Sequence, residues 1–236
     1  MRSSCLNILA CAAPAAFVAT QACAWEAQVD LGISVAQGNT ETSDTDLLVA
    51  ATHEGGRLHH SITVNTHRST ATLGGTELTT QDVVDADYAL QIQRTGRWYT
   101  TVNLDSYRDI GLDGRITLTA GAGTNLLDSA VATVSVDFGA GRTVERISGA
   151  DLEETVVRWG VTAEHALSER LTLFGGARGL HLNGGADIYD GEAGIRLSLT
   201  ERLSAGFRVD VHQEKPPRSG REPTDLLMAL TIGVSF

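Results

Sequence analysis

From residue 25 onward the sequence alternates, residue by residue, between apolar and small or polar side chains. The last segment shows it plainly. Leu226, Met228, Leu230, Ile232, Val234 and Phe236 share one parity, and Leu227, Ala229, Thr231, Gly233 and Ser235 take the other. A period of two sends successive side chains to opposite faces of a strand, whereas a helix needs apolar residues three and four apart. The same order recurs. Ile116, Leu118, Ala120 and Ala122 oppose Arg115, Thr117, Thr119, Gly121 and Gly123. Leu203, Ala205, Phe207, Val209 and Val211 oppose Ser204, Gly206, Arg208, Asp210 and His212. No convincing helix is predicted after residue 25, and no linker divides the chain.

The alternation predicts an all-β chain of about twelve strands, with ten to fourteen admissible. Their approximate spans are 26–37, 41–53, 57–68, 78–95, 97–108, 114–127, 129–142, 152–166, 169–182, 187–200, 202–214 and 224–236. The connections divide into two sets. Glu54-Gly55-Gly56, Thr95-Gly96, Leu127-Asp128, Leu167-Ser168 and Thr200-Glu201 are short. Those at 69–77, 109–113, 143–151, 183–186 and 215–223 read as longer, and Gly38-Asn39-Thr40 breaks the trend. Short turns at one end and longer loops at the other suit an antiparallel transmembrane β-barrel, whose even strand count returns both termini to the periplasmic side. Closure leaves no unpaired edge for lipid to face. Strands of about ten residues suffice to cross the apolar layer when tilted.

Residues 1–24 read as a secretory signal peptide: Arg2 is the positive start, Leu6 to Val18 is mostly apolar, and Ala22-Cys23-Ala24 fits a small-x-small cleavage site. A lipoprotein anchored through Cys23 is the runner-up, but Thr20-Gln21-Ala22 lacks the apolar residue of a lipobox. All three cysteines lie in this segment, so residues 25–236 carry none and form no disulfide. The formal charge of −11 argues against a nucleic-acid partner, which would need a basic face.

Several short motifs stand in a familiar order: Gln37-Gly38-Asn39-Thr40, Tyr107-Arg108-Asp109 before Arg115, Gly121-Ala122-Gly123, Asp137 to Gly141 before Glu145, Asp225, and Gly233-Val234-Ser235-Phe236. By these the chain resembles the YdiY-like family of salt-induced outer-membrane proteins (domain of unknown function 481), over nearly all of residues 25–236. The resemblance implies location and fold more than activity. It would lead one to expect an aromatic after the paired glycines, where this chain has Asn125 and Arg142. Aromatics make up only 5 % of the chain, so interfacial girdles should be sparse. Trp98 sits beside a short turn, but Trp159 falls near the middle of its strand.

The polar parity would line the barrel interior. It carries Asp105, Asp137, Glu154, Glu164, Asp190, Glu192 and Asp210, with Arg115, Arg158, Arg178, Arg196 and Arg208. Seven acids against five arginines is near balance, and a paired network filling the lumen is favoured over a selective constriction. Asp210 and His212 share a face, as do Asp85 and Asp87, so an acid–base pair at an outer rim is conceivable. Strand alternation produces such neighbours freely. No catalytic residue, cofactor or metal ligand is assigned. The seven histidines lack zinc spacing, and Asp187 to Glu192 lacks a calcium-loop pattern. Phe236, a terminal aromatic after alternating apolar residues, reads as an assembly signal for the barrel-assembly machinery. The expected surroundings are outer-membrane lipid and lipopolysaccharide. The leading function is a structural or envelope-homeostasis barrel of the cell outer membrane, with a narrow solute channel as its extension. The alternatives are a soluble periplasmic lipid-binding barrel and a rim-site hydrolase. Alternation alone does not say which parity points outward.

Overall fold

A computed structural model describes residues 25–34, 41–73, 76–93, 96–109, 112–217 and 223–236. They form twelve strands: β1 (Trp25–Ser34), β2 (Glu41–Gly55), β3 (Leu58–Leu73), β4 (Thr76–Gln93), β5 (Trp98–Asp109), β6 (Leu112–Asp128), β7 (Ala132–Ile147), β8 (Ala150–Ala166), β9 (Leu171–Leu182), β10 (Asp187–Ser198), β11 (Leu203–Lys215) and β12 (Thr224–Ser235). Every strand pairs antiparallel with its neighbours in sequence. The sheet closes where β1 meets β12, from Gln28 opposite Ser235 to Ile33 opposite Leu230. The signal-peptide segment and the Gln37–Thr40 motif lie outside the described residues.

The structure decides the facing that alternation left open. On β5, Thr101, Asn103 and Asp105 are buried while Val102 and Leu104 are exposed. On β12, Leu226, Met228, Leu230 and Ile232 stand outward, Leu230 being 69 % exposed, while Ala229 and Gly233 face in. The apolar parity is outside and the polar parity inside. A lipid surround requires that arrangement, and a soluble carrier of apolar ligands requires the reverse.

The reading of the connections needs correction. The end opposite Trp25 and Phe236 is not distinguished by long loops at 69–77, 109–113 or 143–151. β3 continues to Leu73 and β4 starts at Thr76; β5 ends at Asp109 and β6 starts at Leu112. β7 and β8 are joined by Ser148-Gly149 alone, with φ of 51° and 79°. Two successive left-handed residues make the turn type whose twist matches a hairpin. At these three connections length is built from strand rather than loop, whereas the connections after Leu182 and Lys215 keep the spans read from the sequence, β10 starting at Asp187 and β12 at Thr224. Strands of 15 to 18 residues exceed the roughly ten needed to cross an apolar layer, so β2–β4 and β6–β8 project beyond it.

That projection explains Trp159. On β8 the outward residues Val157, Trp159, Val161 and Ala163 are apolar or small, and Glu153 and Asp151 follow above them. Outward ion pairs sit at this upper level: Arg142 with Glu153, and Arg146 with Asp151 at 2.6 Å. Trp159 is midway along its strand, yet it lies just below the polar level. Tyr189 is beside it, ring centroids 6.5 Å apart, and Gly179 between them leaves the indole room, since a Cβ there would lie 2.2 Å from Nε1. At the terminal end, Trp25, His53, His60 and Tyr88 form an outward aromatic run, with His60 Nδ1 2.9 Å from the Tyr88 hydroxyl. Exposed Trp98 and Phe236 share this end. Tryptophan, tyrosine and histidine rings thus border the apolar band on both sides, as amphipathic rings do at a lipid–water boundary.

Candidate functional site in the barrel lumen

The polar parity converges on Arg178. Its register on β9 places it between Gly160 of β8 and Asp190 of β10, facing in. Nε donates to Asp190 Oδ2 at 2.8 Å. Nη1 donates to Asp87 Oδ1 at 2.6 Å and Asp105 Oδ1 at 3.1 Å, and Nη2 donates to Asp85 Oδ2 at 3.2 Å. Asp85 and Asp87 belong to β4 and Asp105 to β5, so a β9 guanidinium reaches five strands around the barrel. A planar group with five donors suits such a role, because each N–H can take a separate carboxylate.

Two more contacts cross the lumen. Arg115 on β6 donates to Glu145 Oε1 on β7 at 3.0 Å and lies 3.5 Å from Glu214 on β11. Tyr107 on β5 stacks on His212 on β11, ring centroids 5.3 Å apart and 11° from parallel, with the Arg115 guanidinium 5.0 Å over the Tyr107 ring. β5 and β11 are diametrically opposite in the strand order. His212 Nδ1 in turn lies 2.6 Å from Asp190 Oδ1. What remains among Asp85, Asp105, Tyr107, Arg115, Arg178 and Asp190 is a cavity of ≈ 10 Å³, room for about one water. Toward the far end a small apolar cluster of Val156, Leu180, Leu182 and Ile188 lies inside the wall.

Of the residues singled out in the sequence, Asp105, Arg178 and Asp190 meet in the central cluster, and Arg115 stands beside it. Asp137 pairs locally with Arg158, and Arg208 with Asp210 at 2.7 Å. Glu154 leans toward the β9–β10 connection, where a side chain on Gly184 would collide with it. Arg196 lies over the Phe174 ring, and Glu164 and Glu192 are exposed. These last four do not join the central cluster. The conceived acid–base pairs have other partners: His212 holds Asp190, Asp210 holds Arg208, and Asp85 and Asp87 both hold Arg178. The stretch from Asp187 to Glu192 splits between faces, Asp187 pairing outside with His181 and Asp190 turning inward. Among the described residues no group of three or more histidine, cysteine or acidic side chains is placed to hold a metal ion.

The near balance of lumen charge also needs correction. Asp30, Asp46, Asp85, Asp87, Asp109, Glu145 and Glu214 face inward too, and among the described residues the five arginines have no matching addition. Asp46 is 1 % exposed and bonded to His67 at 2.8 Å. The lumen is acidic. Outside the apolar band, at the β7–β8 tip, the hydrogen bond from Arg146 holds the Asp151 carboxyl below its ordinary range and raises the guanidinium in return.

A closed antiparallel barrel with an apolar exterior and a charged interior defines the class of transmembrane β-barrels. Within it, the chain belongs to the family described as "Protein of unknown function, DUF481", whose profile matches residues 29–236. The translocator domain of the autotransporter NalP from Neisseria meningitidis has a similar fold, with TM-score 0.50 and 15 % identity over 92 % of this chain and 88 % of that one. So has the COG4313 outer membrane channel from Pseudomonas putida F1, with TM-score 0.53 and 9 % identity over 94 % of this chain and 98 % of that one. No curated protein sequence matches the chain.

Proposed function

We propose that this protein is a barrel of the Gram-negative outer membrane with a role in maintaining the envelope, and that its lumen is a narrow passage occluded at rest. The observation that carries the reading is the trio of contacts spanning the lumen: Arg178 to β4 and β5, Arg115 to Glu214, and Tyr107 to His212. Among the described residues it is side chains that close it, and these open by rotamer changes, which exposed side chains make within nanoseconds and packed ones more slowly. In this reading the termini are periplasmic, the projecting hairpins meet lipopolysaccharide, and Phe236 is read by the assembly machinery. The YdiY-like affinity and the salt response it carries belong to the same proposal. The test is single-channel recording from the refolded protein in a planar bilayer. Infrequent, small, discrete steps are expected. Large steps that stay open would contradict occlusion, and silence from folded protein would leave the envelope role without a passage.

A further inference from the structure

We propose that the Arg178 cluster is a cation site, and that the passage carries small monovalent cations past a tethered guanidinium that already occupies it. This rests on the reading of the lumen as an occluded passage and names what that passage takes.

Four carboxylates from three strands, Asp85, Asp87, Asp105 and Asp190, face one arginine. If all ionise, the group is three charges short of neutral, and the bases beside it do not make this up: Arg115 faces two acids of its own, Glu145 and Glu214, and Arg158 is matched by Asp137. Arg178 itself shows that the ring admits a planar cation, since all three of its nitrogens are held there. A second observation is independent of the acid count. Asp105 is only 7 % exposed, and its Oδ2 has no hydrogen-bond partner among the described residues. Asp85 Oδ1 is in the same position. Both residues line the water-sized cavity beside the guanidinium. A buried carboxylate oxygen without a donor is costly, and a mobile cation or its water would satisfy it. The chemistry selects small monovalent ions. The described residues hold no group of three placed to ligate a metal ion, so a passing cation is attracted by charge and not caged, and a singly charged ion is the one that such a site releases again. A low-dielectric passage lined by one sign of charge concentrates the opposite ion.

Folded wild-type protein, Arg178→Gln and Asp85→Asn/Asp105→Asn are recorded in planar bilayers under a potassium chloride gradient, after gel mobility and circular dichroism confirm each barrel. Wild-type steps should reverse on the potassium side. Arg178→Gln removes the resident charge, so conductance should rise and potassium should be preferred over chloride by about tenfold or more. The double asparagine variant should shift reversal toward chloride. If Arg178→Gln does not fold, wild type against the double variant decides. Discrete steps with no potassium preference in wild type, or no shift in the double variant, overturn the cation site and leave the passage standing. Silence from wild type and variants alike overturns the passage and the cation site with it.

Discussion

At the scale of single residues, position relative to the wall matters more than residue type. Leu230 and Thr231 are neighbours near the middle of β12, one facing out and one facing in. Leu230→Arg places a charge against lipid at mid-depth, at a cost of about 2–4 kcal/mol. Thr231→Arg places it in an acidic lumen and should cost much less. Equilibrium refolding into vesicles across a urea series measures both, and equal losses would refute the facing. Gly179 allows a second test. A Cβ there would meet the Trp159 indole, so Gly179→Ala must swing the ring off the wall. We expect a loss of about 1–3 kcal/mol, typical of overpacking, with a shift in tryptophan emission. An unchanged spectrum and unchanged stability would show that the ring does not rest on that glycine.

At the scale of elements, the β7–β8 hairpin puts two kinds of ion pair side by side. Glu145 faces inward, 8 % exposed, and accepts from buried Arg115; the next residue, Arg146, faces solvent and pairs with Asp151. Glu145→Gln should destabilise the barrel by about 1–3 kcal/mol, softened by Glu214, because a buried guanidinium loses an anionic partner. Arg146→Gln should leave the unfolding midpoint unchanged, since exposed pairs are screened and hold little. The reverse order would mean that the hairpin turns its other face inward. The seam is a further element. Phe236 exchanges backbone hydrogen bonds with Ala27, at 2.9 and 3.4 Å, at the terminal end of the seam where β12 closes on β1. Deleting it removes the last rung of closure and the proposed assembly signal together. Outer-membrane yield should fall, while normal yield with normal heat-modifiable mobility would dismiss that signal.

At the scale of the whole molecule, local periodicity and global closure contribute different information. All twelve strands were legible from alternation, because period two is a local property, and their bounds agree within three residues except at the far ends of β3 and β7, which run on to Leu73 and Ile147. Where the apolar band stops was not legible. Trp159, midway along β8, stands at the band's edge only because that strand runs past the band. The partners of Arg178 were hidden for another reason: Asp85 and Asp87 share its face only after five strands have curled around, and no sequence spacing encodes that. The acid excess escaped because its members are spread over β1, β2, β4, β5, β7 and β11, each looking like an ordinary polar-face residue. Sidedness follows from closure too, and the chain offers a clean test of it, since residues 25–236 hold no cysteine. An even strand number puts Ser168, in the β8–β9 turn, at the end that carries Trp25 and Phe236, and Ser148 at the tip of the projecting hairpin opposite. In intact cells a membrane-impermeant maleimide should label Ser148→Cys and spare Ser168→Cys. Permeabilising the outer membrane should expose the second without changing the first. Labelling of Ser168→Cys alone in intact cells would invert the barrel, turn the projecting β3–β4 and β7–β8 hairpins toward the periplasm, and make their contact with lipopolysaccharide untenable.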